Sequence, residues 1–149
     1  MGDRVESVTN LSTKSGSSVF APYEYDTTSV TILHFQGGAV GKTAAVVDCL
    51  QPYYFHTHLV GSEGSLLDDR FHSMKLKADK GHWSRLSMKM LDSGDVSDHP
   101  YQAQFQAFFD ALDRGEPMPL TSFREAARTF AVIFAADKSA AQGGAPVAV

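Results

Sequence analysis

His56 and His58 stand two residues apart in a segment that alternates as a strand does, so both imidazoles point to one face. Such a pair can chelate a metal, with His34 or His72 approaching from another strand. A metal centre needs three or four ligands in fixed geometry. Polar alternation on a solvated sheet face produces the same pattern, so a small metal-dependent enzyme is the third of three readings. Just upstream, Pro52-Tyr53-Tyr54, with Tyr23 and Tyr25 before it, places hydroxyl-bearing aromatics at a strand end. Stacking area joined to hydroxyls can line a sugar or polyol pocket; half-buried tyrosines at a sheet edge are the plainer alternative. Asp95-Val96-Ser97-Asp98-His99 sets carboxylates beside an imidazole. Asp98 is better explained as a helix cap, and His99 as an acid or base lacks a nameable nucleophile or orienting partner. These patterns by themselves assign no metal-binding residue.

Gly37-Gly38-Ala39-Val40-Gly41-Lys42-Thr43 ends like a phosphate-binding loop. That motif needs a glycine where Gln36 stands and a helix after it, whose N–H groups hold the phosphates. Thr43 to Asp48 is β-branched and reads as a strand. Cys49 is alone, which excludes an internal disulfide, and its flanks Val46-Val47 and Leu50 suggest a small buried residue. Asp68-Asp69, Asp110, Asp113 and Glu116 read as solvated carboxylates of loops or a helix's polar face. No Gly-x-Gly-x-x-Gly fingerprint occurs, so no dinucleotide site is expected within the chain.

The elements that must position these residues follow from the patterning. At 149 residues and 43% hydrophobic, the chain is expected to form one domain, 1–149, with a core. Its net charge of −4 and absence of a basic stripe argue against nucleic acid. No apolar run is long enough to span a bilayer, and the charged start does not read as a signal peptide, so a cytoplasmic location without membrane partners is expected.

A weak strand signal covers 4–13, and Thr28 to Gln36 is a clear strand. Val30, Ile32 and His34 share one of its faces, Thr31, Leu33 and Phe35 the other. Gly37-Gly38 predicts a tight two-residue hairpin turn into the next strand. Further strands are expected at Tyr53–Val60, Ser65–Leu67, Arg70–Lys77 and Trp83–Met90. The period then changes. Phe105, Phe108, Phe109 and Leu112 recur at helical spacing, stopped by Gly115. Ser122 with Glu125 is a capping box for a second helix through Phe123, Ala127, Phe130, Ile133, Phe134 and Ala140, ended by Gly143-Gly144. Pro146–Val149 is an extended tail. Strands first and helices last predict an α+β fold, a large mostly antiparallel sheet with two C-terminal helices packed on one face.

In this order the segments resemble the Gfo/Idh/MocA oxidoreductases. The resemblance is carried by Leu33-His34-Phe35-Gln36-Gly37-Gly38, Leu59-Val60-Gly61-Ser62-Glu63-Gly64-Ser65-Leu66, Phe109-Asp110-Ala111-Leu112 with Gly115-Glu116-Pro117, and Lys138-Ser139-Ala140-Ala141-Gln142-Gly143-Gly144 with Pro146-Val147. It covers nearly the whole chain and implies the C-terminal domain of an NAD- or NADP-dependent sugar or polyol dehydrogenase. Such a domain helps shape the substrate pocket and forms a subunit interface through its sheet, implying a homo-oligomer. The family's cofactor fingerprint and Glu-Lys-Pro lysine lie in an N-terminal Rossmann domain, and its Asp-x-x-x-His motif precedes the stretch that Gly2-Asp3-Arg4-Val5 resembles. No residue here matches them, so the isolated chain is expected to bind no nicotinamide cofactor and to be inactive alone. Tyr53 and Tyr54 lie on a segment that resembles a strand contributing substrate contacts in some relatives, which makes them, with His99 third, the candidate substrate-binding residues; no catalytic, cofactor-binding or metal-binding residue is assigned. A freestanding α+β binding or dimerisation module is the alternative.

Overall fold

The computed structural model describes residues 3–77, 81–87, 99–120 and 122–149. Its elements in chain order are β1 (Val5–Thr13), β2 (Thr28–Phe35), β3 (Val40–Val46), β4 (His58–Gly61), β5 (Gly64–Leu67), β6 (Arg70–Ser73), β7 (Ser84–Arg85), α1 (Tyr101–Arg114), α2 (Phe123–Ala141) and β8 (Val147–Ala148). The fold is α+β with antiparallel strands and its helices at the C-terminal end. The strands form two four-stranded sheets, ordered β3-β2-β1-β8 and β4-β5-β6-β7. The chain divides into two compact units, one holding residues up to Leu50 with Gln102–Val149, the other Gln51–Tyr101.

In the first unit, β1 pairs antiparallel with β2, Val8 opposite Leu33 and Asn10 opposite Thr31. Directly opposed residues share a face, which separates Val8, Asn10, Thr31 and Leu33 from Thr9, Leu11, Val30 and Ile32. The alternation expected for β2 is thus realised. The hairpin to β3 is one residue wider than the sequence suggests. Phe35 donates its N–H to Ala39 O at 3.0 Å, and Gly38 donates to Phe35 O at 2.9 Å. The loop is therefore Gln36-Gly37-Gly38, with Gly38 at φ 85° supplying the left-handed residue that closes a three-residue hairpin. The Asp3 carboxylate also accepts the Gly37 N–H, at 2.9 and 3.1 Å, and a Cβ at Gly37 would only have to push that exposed side chain aside.

Helix α2 packs on this sheet through residues at helical spacing: Val132, Ala135, Ala136 and Ser139, against Val8, Val5, Leu33 and Val147. The bulkier positions Phe123, Phe130, Ile133 and Phe134 face outward. Small residues win the inner face because β1 lies close beneath. Asn10 donates its side-chain Nδ2 to Ala136 O at 3.2 Å, and its backbone N–H to Ser139 Oγ at 2.9 Å. The backbone bond has a clear cause. Strand β8 pairs with β1 only at Ser7 and Val8, so the outward N–H of Asn10 lies beyond the ladder and needs another acceptor. Ser139 Oγ then donates to Ala145 O at 2.7 Å, and Asn10 Oδ1 accepts from Ser29 Oγ and Thr31 Oγ1 at 2.9 and 3.1 Å.

The α2 ends follow the sequence closely. Ser122 Oγ accepts the Glu125 N–H at 3.2 Å, while the Glu125 carboxylate turns away from the cap to Arg128. Gly143 and Gly144 donate to Ala140 O and Ser139 O, both glycines at positive φ, a Schellman-type ending. In α1, Ala111 is buried, whereas Phe105, Phe108, Phe109 and Leu112 are exposed. Its expected cap, Asp98, lies outside the described residues. Cys49, expected to be buried, is exposed: it lies beyond the end of β3, just after a bend, its Sγ 3.6 Å from Val46 O.

The second unit departs most from expectation. Of the expected 53–60 strand only His58–Val60 is realised, as the start of β4; residues 51–57 are irregular. The β6 strand stops at Ser73, and Lys77, at φ 51°, closes a turn onto Met74 O. Strand β7 is reduced to Ser84–Arg85 among the described residues. Gly64 is required where β5 and β6 come together, because a Cβ there would stand 2.6 Å from His72 O. No helix among the described residues is long and apolar enough to cross a membrane.

Candidate functional site

The β4–β5–β6 meander brings Leu67 opposite both His58 and Arg70, so Asp68-Asp69 is a two-residue hairpin loop. Asp68 takes φ 54°, a conformation that aspartate tolerates because its short side chain bonds locally. Its partner is Thr57, the residue just before β4. Asp68 donates its N–H to Thr57 O at 2.9 Å, and its Oδ1 accepts the Thr57 N–H at 2.8 Å. A side-chain oxygen thus replaces the next ladder partner. This is why the strand expected from Tyr53 begins only at His58.

The second carboxylate oxygen gathers two further groups. Asp68 Oδ2 lies 3.0 Å from His56 Nδ1 and 3.4 Å from Tyr54 Oη, and Tyr54 Oη lies 2.8 Å from His56 Nδ1. The Tyr54 and His56 rings are stacked, 5.6 Å between centroids. The Asp68 carboxyl is held below its ordinary range, first by the Thr57 N–H, then by the hydrogen bond and charge of His56 and a hydrogen bond from Tyr54; partial loss of hydration opposes them. The Tyr54 hydroxyl is pushed up by partial loss of hydration, then by the charge and hydrogen bond of Asp68, against the opposing pull of Arg70. An ionised Asp68 favours the proton of neutral His56 on Nδ1, leaving Nε2 as the acceptor or base. The geometry can therefore accept a proton from, or hydrogen-bond, a hydroxyl-bearing molecule.

Tyr53, next in an extended segment, faces elsewhere. Its ring lies 6.5 Å from His99, which stacks on Tyr101 at 5.6 Å. The three residues nominated from sequence thus occupy two places in this unit: Tyr54 in the carboxylate cluster, Tyr53 and His99 in an aromatic group with Tyr101. Such stacked rings suit the apolar face of a sugar ring. Sequence reasoning passed over Asp68 as a solvated loop carboxylate. The available signal was an Asp-Asp pair between two short apolar runs, a turn composition whose first residue can take positive φ.

Among the described residues the metal reading gains no third ligand. His56 Nδ1 is committed to Asp68 and Tyr54, and the His56 and His58 rings are 6.2 Å apart. His72 lies opposite Ser65, two strands from Val60. Among the described residues no three His, Cys, Asp or Glu side chains gather as a metal-ligand group. A groove of about 270 Å³ along α1 is lined by Gln104, Phe105, Phe108, Phe109 and Met118, and it brings no acid–base groups together.

No family model matches the sequence, and no curated protein matches it. Solved structures do. A levoglucosan dehydrogenase in complex with NADH and levoglucosan aligns with a TM-score of 0.71 at 19% identity, over 98% of this chain and 45% of its own. The WlbA dehydrogenase from Bordetella pertussis, in complex with NADH and UDP-GlcNAcA, aligns with a TM-score of 0.66 at 19% identity, over 98% and 39%. An oxidoreductase from Agrobacterium radiobacter, in complex with NAD+, L-tartaric acid and magnesium, aligns with a TM-score of 0.70 at 19% identity, over 97% and 43%. At this identity the likeness establishes a shared fold. The chain spans between 39% and 46% of the length of the first structures it matches. Its fold is one that recurs as part of larger oxidoreductases.

Proposed function

We propose that this chain acts as the C-terminal, substrate-side and subunit-contact domain of an NAD- or NADP-dependent dehydrogenase of a sugar or polyol, in the manner of the Gfo/Idh/MocA oxidoreductases. The observation that carries the reading is the coverage: nearly all of this chain superposes on less than half of dehydrogenases whose structures hold NADH. In this reading the cofactor and the hydride-transfer residues belong to a Rossmann domain outside these 149 residues. The chain supplies Tyr53, Tyr54 and His99 as substrate contacts. The outward aromatics of α1 and α2, Phe105, Phe109, Phe123 and Phe134, support a domain made to pack against something more, since soluble monomers rarely expose such area. The face of the first sheet turned away from α2, with Leu11, Val30, Val40 and Val46 exposed, meets a second copy. The setting is cytoplasmic.

The test is a titration of the 149-residue chain alone with NADH, followed by nicotinamide fluorescence, beside saturation-transfer NMR with levoglucosan and myo-inositol. Polyol contacts at Tyr53, Tyr54 or His99 without saturable NADH binding are expected. Tight NADH binding by the chain alone overturns the reading.

A further inference from the structure

The second sheet distributes its side chains unevenly between its faces. The row His58–Leu67–Arg70–Arg85 runs across all four strands on one face, and Val60–Ser65–His72 forms the next row on that face. His56 stands beside His58, 6.2 Å between ring centroids. The opposite face carries Leu59, Leu66 and Phe71 in one row. In a chain of net charge −4, one small face thus collects histidines and arginines.

The nearby carboxylates are already engaged. Asp68 is held by Thr57 and His56, Asp69 pairs with Arg85 at 3.0 Å, and Glu63 pairs with Lys75 at 3.4 Å. Arg70, half-buried in the middle of the row, has no carboxylate partner among the described residues. On the same strand and face, His72 has its Nδ1 screened from solvent with no hydrogen-bond partner among them. A half-buried guanidinium and a screened imidazole nitrogen, both without an acceptor among the described residues, are the complement of an oxyanion.

We propose that this face binds an oxyanion carried on a hydroxylated small molecule, a sugar carboxylate or a sugar phosphate, with Arg70 as its charge partner and His58 beside it. The inference rests on the sugar dehydrogenase reading and narrows its substrate class from neutral polyols to anionic ones. Arg70 fixes the charged end, and the Tyr54–His56–Asp68 cluster presents hydrogen-bonding groups to the hydroxyls.

The test follows Arg70 Nε–H and the His58 ring by NMR in the 149-residue chain, titrated with D-gluconate, D-glucose 6-phosphate and neutral D-glucose. At least one anion should shift Arg70 and bind about tenfold more tightly than glucose, a difference of about 1.4 kcal/mol. A response to gluconate alone assigns a carboxylate, and to the phosphate ester alone a phosphate. Arg70→Gln should abolish the preference while the β4–β6 amide resonances keep their positions. His58→Gln, at an exposed site, should weaken it less. Equal binding of glucose and both anions, no shift at Arg70, or an anion preference surviving in Arg70→Gln overturns the proposal. The NADH titration is independent of these outcomes, so failure of the anion site leaves the domain reading to be judged separately.

Discussion

Asp68 Oδ2, in the β5–β6 loop, lies 3.0 Å from Nδ1 of His56, which precedes β4, and the same carboxylate accepts the Thr57 N–H through its other oxygen. One side chain thus ends a strand and orients an imidazole. Because the backbone bond fixes the carboxylate first, His56 adjusts to it. In neutral His56 the proton should reside on Nδ1, against the usual preference of free imidazole. Long-range 15N–1H correlation spectra should show this tautomer in the wild type and its loss in Asp68→Asn. An Nε2–H tautomer in the wild type contradicts the arrangement.

The same cluster sets a pH window at each end. Asp68 is depressed in the folded state, chiefly by the Thr57 N–H, so its contribution is fully present above the ordinary value of 3.8 and is lost as pH falls through the lower folded value. Its carboxyl 13C titration should have a midpoint below 3.8, accompanied by faster amide exchange at Thr57. Tyr54 is raised, so its contribution is fully present below 10.0 and is lost as pH rises through the higher folded value. The phenolate absorbance missing from Tyr54→Phe should therefore develop above pH 10.0. A midpoint on the other side of either ordinary value refutes the corresponding assignment.

Ser139→Ala should destabilise the first unit. It removes the acceptor of the buried Asn10 N–H and the donor to Ala145 O. A buried donor left without a partner costs about 1–3 kcal/mol. Urea unfolding followed by circular dichroism reads the loss. An unchanged midpoint would mean that water or a neighbour replaces the hydroxyl.

Val30→Glu places a charge on the face of β2 opposite α2, at a residue already exposed in the single chain. If that face meets a second copy, sedimentation at micromolar concentration should move from dimer to monomer with little change in unfolding. A wild-type chain that sediments as a monomer removes this interface.

The first unit was largely legible because its signals are local. The alternation of Thr28–Phe35, the glycines after it, Ser122 with Glu125, and Gly143-Gly144 each specify backbone geometry within a few residues. Which stripe of α2 faces inward was less accessible. Hydrophobicity favours Phe130 and Phe134, but the closeness of β1 and the demand of Asn10 for an acceptor select Ala136 and Ser139. The candidate site was half legible. Tyr54 and His56 stood out by type and spacing, whereas Asp68 acquires its role only when two hairpins fold it back on Thr57. Nothing in the neighbourhood of Asp68 along the chain announces that contact.

The pairing of Val8 with Val147 joins residues made far apart in time. At ordinary translation rates, on the order of ten seconds separate their emergence from the ribosome. Throughout that interval β1 and β2 can pair, but the outer edge of β1 and the donor of Asn10 await residues not yet synthesised. A nascent chain in this state offers a strand edge to any neighbouring polypeptide. The hazard ends only when Val147 arrives to cover that edge.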